Sequence, residues 1–317
     1  MKKKNITTIL IILAIYIGVF LLTDVTGIIG PYYQVNIFLA GINIILALSL
    51  NLIVGFTGQL ALGHAGFMAV GAYVSAVCTM KLGIPFIPAV VVGALAAMLI
   101  GLVIGLPTLR LRGDYLAIAT LGFGEIIRGL VVNIEYVGGA AGINGIPKKT
   151  TWTMLFLFVI ITIAVIKNFI NSSHGKMCVS IRDNEVAAEI MGVNTTYYKT
   201  VAFSLGAFFA GLGGALYAHY FFLIQPTTFT FARSFDILVM VVLGGLGSIT
   251  GSILAAIGVT FLNAVLVDFG AIRMVIYALL LILVMIFRPQ GLMGTKEFNL
   301  QSLLGFKGRG GKNAKNN

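Results

Sequence analysis

Charge is scarce in this chain: only 31 of its 317 residues are Asp, Glu, Lys or Arg. A soluble domain carries roughly a quarter of its residues as charges. With 59% hydrophobic residues and a mean hydropathy of +1.03, an ordinary soluble domain is excluded. Histidine is nearly absent as well, limited to His64, His174 and His219, and there are two cysteines. No H-E-x-x-H and no Cys/His spacing for zinc occurs, so neither a metal site nor a cofactor is expected. Cys78 falls late in an apolar run and Cys178 in a charged loop, on opposite sides of the topology derived below, so no disulfide is expected. The tail GFKGRGGKNAK has the composition of a phosphate-binding loop without the G-x4-G-K-[ST] spacing or a preceding strand. No catalytic residue is expected, and ATP hydrolysis is not expected of this chain.

What the sequence does have is long apolar runs of about 20 residues, interrupted by Gly, Pro and charge, which suit membrane helices rather than barrel strands. The expected fold is all-α and polytopic, with about 8–10 transmembrane helices. Candidate spans are 6–22, 35–54, 60–79, 86–106, 115–132, 152–170, 200–222, 236–247, 252–267 and 272–287, the eighth being too short to cross unless tilted, broken or buried. Residues 1–34 form a first helix and an external loop. The run after MKKKN has the form of a signal peptide but no A-x-A-like cleavage site after Leu22, so a retained helix is expected. Residues 35–294 form the core, with a charged segment at 171–199, and residues 295–317 form a basic tail expected to be disordered.

With a cytoplasmic N-terminus, fifteen of the 21 Lys and Arg residues fall on inside segments. The remaining six are Lys81, Arg128, Lys148, Lys149, Arg233 and Arg273. The positive-inside rule then puts both termini and 171–199 in the cytoplasm of a multi-pass cell-membrane protein. The basic residues lie at span ends and in the tail, which suits orientation and lipid headgroups rather than nucleic acid.

The 39 glycines concentrate in GFTGQLALGHAGFMAVGAY (55–73), GGAAGINGIP (138–147), GAFFAGLGGALYA (206–218) and GGLGSITGS (244–252). Close helix packing explains most of them, but the clusters at 55–63 and 244–252 interrupt apolar runs and suggest broken helices beside a translocation path. Asn51, His64, Glu125 and Arg128 within the spans, and Gln59 in the first break, are either bundle-stabilising or on that path. Each charge alone at a helix centre costs about 2.5–3.5 kcal/mol, so Glu125 and Arg128, three apart on one face, are expected to pair.

The stretch IRDNEVAAEIMGVNTTYYKT (181–200) holds Arg182, Asp183, Glu185, Glu189 and Lys199. It reads as a two-turn helix over 183–191, N-capped by Asp183 and stopped at Gly192. Val186, Ala187, Ile190 and Met191 fall on one side, with Asn184, Glu185 and Glu189 on the other. Its acids disfavour an anionic leaflet, leaving a solvated loop or a knob for a protein partner.

The pattern E-x-A-A-E-x-M-G, carried by Glu185, Ala187, Ala188, Glu189, Met191 and Gly192, resembles the cytoplasmic coupling segment of ABC importer permeases. The chain more narrowly resembles the M-type membrane subunit of branched-chain (hydrophobic) amino acid ABC transporters. The likeness spans about 36–294, through SLNLIVGFTGQLALGHAGFMAVGAY, LRGDYLAIATLGFGEIIR, GGAAGINGIP, IRDNEVAAEIMGVNTTYYK, AFFAGLGGALYAHY, MVVLGGLGSITG and FRPQGL. Ala61, Asn144 and Ser252 depart from the family pattern, where Ser, Thr and often Pro are usual. The resemblance implies a homologous H-type permease, two cytosolic ABC ATPases and an extracytoplasmic amino-acid-binding protein as partners. It makes Arg182, Asp183, Glu185, Ala187, Ala188, Glu189 and Gly192 the contact to the ATPase. It also leaves a urea or short-amide importer as an alternative. Rivals outside the family are a secondary amino-acid transporter and a membrane scaffold.

Overall fold

The computed structural model describes residues 16–20, 30–109, 111, 113–270, 272–287 and 291–294. Of the expected first helix, only 16–20 are described; they are helical, and Tyr16 shares a hydrogen bond of 3.0 Å with Thr153. The tail 295–317 lies outside the described residues.

Pro31, whose fixed φ suits a first helical turn, opens α1 (Pro31–Val54), a helix buried along most of its length. After the glycine break at 55–63 come α2 (His64–Met80), α3 (Phe86–Thr108) and α4 (Asp114–Asn133). Side chains placed one residue ahead of the helix then start four of the next elements by accepting a first-turn N–H. Thr151 caps α5 (Trp152–Asn171), Ser172 caps α6 (Ser173–Asp183), Asn184 caps α7 (Glu185–Ile190) and Asn194 caps α8 (Thr195–Phe221). The chain closes with α9 (Phe231–Gly244), α10 (Ile249–Val265), capped by Ser248, and α11 (Ile272–Phe287). Two short strands, β1 (Ile143–Asn144) and β2 (Leu223–Ile224), pair antiparallel with Ile143 opposite Ile224.

The fold is all-α and polytopic. Among the described residues, α1, α3, α4, α5 and α8 are long and apolar enough to cross a membrane, and α2 and α10 are shorter apolar helices. The core forms around α8, which packs against α1, α2 and α3. Here the glycines act by size: a Cβ on Gly71 would collide with the Gly211 carbonyl, and one on Gly214 with the Met68 carbonyl. Such backbone-to-backbone approach is what small residues allow between membrane helices. α4 is the least buried of the five long helices.

The expected loop 171–199 holds the helix Ser173–Asp183 and the first turns of a helix that starts at Thr195, and two further departures from expectation bear on the site. The span expected at 236–247 is a helix at Phe231–Gly244, so Arg233, expected in an external loop, stands in its first turn. The guanidinium has a partner inside the bundle: its Nη2 donates to Asn43 Oδ1 at 2.6 Å, and Asn43 Nδ2 donates to Thr260 Oγ1 at 2.8 Å. The helix expected over 183–191 is split. Asp183 is the last residue of α6, and the cap is Asn184, an extended residue whose Oδ1 accepts from Ala187 N at 3.0 Å. Both residue types cap helices, and the extended backbone at Asn184 decides between them.

Candidate functional site

The two glycine breaks, nearly 200 residues apart, meet at one end of the bundle. Asn51, in the last turn of α1, joins them: its Oδ1 accepts from Gly247 N at 2.9 Å, and its Nδ2 donates to Ser248 O and Ser252 Oγ at 2.9 and 2.8 Å. The side chain amide is therefore fully occupied in an apolar setting, where an unmade hydrogen bond is costly. Gly55 leaves no room for a side chain beside Gly247 N.

The segment 173–199 lies against this junction. Arg182 Nη1 donates to Gly55 O at 3.2 Å, and a Cβ on Gly247 would sit 3.0 Å from the same nitrogen. The remaining edge of the guanidinium, Nε and Nη2, holds Asp183 Oδ1 at 3.0 and 2.8 Å. Lys199, in the first turns of α8, is buried; its Nζ binds Glu185 Oε1 at 2.7 Å, and its carbonyl accepts from Gln59 Nε2 at 3.3 Å. Cys178 is buried in the same contact, with its Sγ 3.8 Å from Tyr198 O. Burial pushes this thiol up to about 11, partly offset by the Thr57 hydroxyl.

The charge of this segment does not form one outward face. Arg182 and Lys199 turn inward, and Glu185 is drawn to Lys199, while Glu189 and Ala187 stay exposed and Ala188 is buried. Beside Glu189, α7 and the turn after it present large apolar side chains to the outside: Val186 is 55% exposed, Ile190 80% and Met191 82%. Gly192 ends the helix with φ +85°, a conformation that disfavours a side chain, although a Cβ there would meet nothing.

A second polar centre lies further into the bundle. Arg128 Nε and Nη2 both reach Glu125 Oε2 at 2.7 Å, and Glu125 Oε1 accepts from Phe231 N at 3.2 Å. Nearby, Ser234 Oγ accepts from Ala65 N at 2.9 Å, bringing the first turns of α2 and α9 together. His64 is apart from this centre, its Nε2 2.8 Å from Ser49 Oγ. The five polar residues read from the spans and the first break thus divide. Asn51, Gln59 and His64 bind within the bundle towards the end where the breaks meet, while Glu125 and Arg128 form a partly open pair. Asn43, Ser234 and Thr260 join this inner polar set without a sequence signal, because lone Ser, Thr and Asn in apolar runs carry no spacing pattern, and Arg233 joins it from a segment expected to be an external loop.

Residues 32–287 match the family described as the branched-chain amino acid transport system permease component. The high-affinity branched-chain amino acid transport system permease protein LivM of Escherichia coli is 37% identical over 287 residues, covering 80% of this chain and 68% of that protein. BraD of Pseudomonas aeruginosa is 24% identical, covering 80% of this chain and 92% of its own length. LivH of Salmonella typhimurium is 21% identical, covering 80% and 91%. No solved structure matches.

Proposed function

The chain belongs to the family of permease components of branched-chain amino acid transport systems, and from that premise we propose that it is the M-type half of a permease pair in an ATP-driven importer. Its cargo in this reading is a branched-chain or other hydrophobic amino acid. Its partners are a homologous H-type permease, two cytosolic ABC ATPases that hydrolyse the ATP, an extracytoplasmic amino-acid-binding protein and the surrounding lipid. Both termini and 171–199 face the cytoplasm.

The observation that carries this reading is the seat of Arg182. One guanidinium on α6 bonds the first glycine break and borders the second, directly ahead of α7, whose outward side carries three large exposed apolar side chains. An apolar knob of Val186, Ile190 and Met191 suits a groove on an ATPase, since such helix-in-groove contacts rest on a few apolar anchors. Closure of the ATPase pair on ATP displaces α7 with α6, to which it is joined directly at Asn184, and with the start of α8, to which Glu185 is tied through Lys199. Arg182 passes that displacement to the turns at Gly55 and Gly247. Two packed arrangements of those turns then expose the path alternately to either side.

The test is leucine uptake into vesicles bearing the complete assembly. Uptake that stops when ATP is withdrawn and survives collapse of ion gradients supports the reading. Uptake that follows an ion gradient without ATP replaces it with a secondary transporter, and no uptake with no co-purifying ATPase replaces it with a scaffold.

A further inference from the structure

The Glu125–Arg128 pair is only partly shielded, with side-chain exposures of 34% and 36%. It does not sit at a water-facing end. Phe231, which donates to Glu125, starts α9, and two residues on Arg233 reaches Asn43, the thirteenth of the 24 residues of α1. At 1.5 Å per residue that places Asn43 about 17 Å from either end of α1, near mid-membrane. An open charge at such a depth is expensive against hydrocarbon, so the open side of the pair faces water, a ligand or another chain.

Apolar surface adjoins it. The rings of Phe231 and Phe235 lie 4.6 Å apart, edge to face, and are 39% and 42% exposed. Carboxylate, guanidinium and aromatic pair match the three parts of a hydrophobic amino acid: ammonium, carboxylate and aliphatic side chain. Glu125 has lone pairs beyond those used by Arg128 and Phe231, and the bonds to Glu125 leave Arg128 Nη1 for a carboxylate. The first turn of α9 adds its dipole at the same point.

We propose that Glu125, Arg128, Phe231 and Phe235 form a transient mid-membrane station for a zwitterionic hydrophobic amino acid, a proposal that rests on the permease reading above. The substrate's two charges exchange with the existing pair, so neither ion is left bare while cargo passes. A pair made only for contact with the second permease is the competing reading.

The experiment uses the assembled transporter in sealed proteoliposomes with its leucine-binding protein. Phe235→Cys is treated with a charged, water-soluble methanethiosulfonate; the native Cys78 and Cys178 are buried. The thiol is expected to label, and leucine turnover is expected to slow labelling several-fold. No labelling means lipid or the other permease covers the face, and labelling indifferent to leucine means no cargo passes; either overturns the station. In parallel, Glu125→Gln and Arg128→Gln are expected to lower leucine moved per ATP hydrolysed about tenfold, the scale of one lost charged hydrogen bond. A structural pair would instead lower transport and hydrolysis in proportion, leaving that ratio unchanged and overturning the proposal. If the unaltered assembly moves no leucine, it is the permease reading that fails.

Discussion

Arg182 Nη1 lies 3.2 Å from the carbonyl oxygen of Gly55, 127 residues earlier in the chain. The contact joins the element ahead of α7 to the first glycine break, and the same nitrogen borders Gly247 in the second. Hydrogen bonds to charged groups contribute about 1.5–3 kcal/mol, so Arg182→Ala is expected to reduce ATP-driven leucine uptake tenfold or more while membrane insertion persists. Arg182→Lys is expected to rescue only part, since an ammonium cannot hold Gly55 and Asp183 on two edges. Uptake at wild-type level in Arg182→Ala would remove Arg182 from the coupling route.

The Glu185–Lys199 pair is lopsided, with Lys199 8% and Glu185 27% exposed. Glu185→Gln strands a buried ammonium, whereas Lys199→Met leaves a carboxylate that water reaches. Breaking a fully buried pair costs about 3–5 kcal/mol. Discounted for the exposure of Glu185, Glu185→Gln is expected to cost about 1–3 kcal/mol, and Lys199→Met less. Thermal unfolding of the purified chain reads the order; the reverse order would mean that Lys199 is supported by something other than Glu185.

Gly192 has a left-handed backbone and open space around it. Its requirement is conformational rather than steric, so Gly192→Asn is expected to keep most uptake, while Gly192→Val costs about 1–2 kcal/mol at the helix end and uncouples hydrolysis from uptake. Equal loss in both variants, scored as leucine per ATP, would point to a direct contact at this position.

Gly71 faces the opposite constraint. With its Cα against the Gly211 backbone, Gly71→Leu is expected to abolish folded protein, whereas Gly122→Ala, with nothing near, is expected to leave yield and melting temperature unchanged. Quantifying folded protein in membranes by size-exclusion profile checks both.

Cys178 is held near 11 by burial. Thiolate is the reactive form, so at pH 8 alkylation is expected to be on the order of 100-fold slower than for an unperturbed thiol, rising with pH until about 11. Rapid labelling at pH 8 would show that the contact between 173–199 and the first break opens readily.

Much of the fold was legible because apolar runs and glycine punctuation are local signals. The spans from 35 to 170 and the helix at 200–222 follow from them, as does the break before His64. The start of α9 was not legible: TFTFARSFD carries both charge and turn-forming residues, and the Asn43 side chain that receives Arg233 inside the bundle lies 190 residues earlier in the chain. The split at Asn184 was hidden because Asp183 and Asn184 are both good caps. The role of the charge at 181–200 was hidden most deeply. Its density was visible, but the partners of Arg182 and Lys199 lie on other elements, and the surface left for a partner is the apolar side of the same two turns.

Ile190 and Met191, the most exposed of the large apolar side chains described, also bear on how such a subunit is made. With 171–199 on the cytoplasmic side, as proposed above, a copy inserted without a protein over that knob presents this apolar surface to the cytosol, the kind of patch that chaperones and proteases recognise. On the proposed reading, orphan copies are therefore expected to be short-lived, and co-expression of the ATPase is expected to raise the level of this chain in membranes.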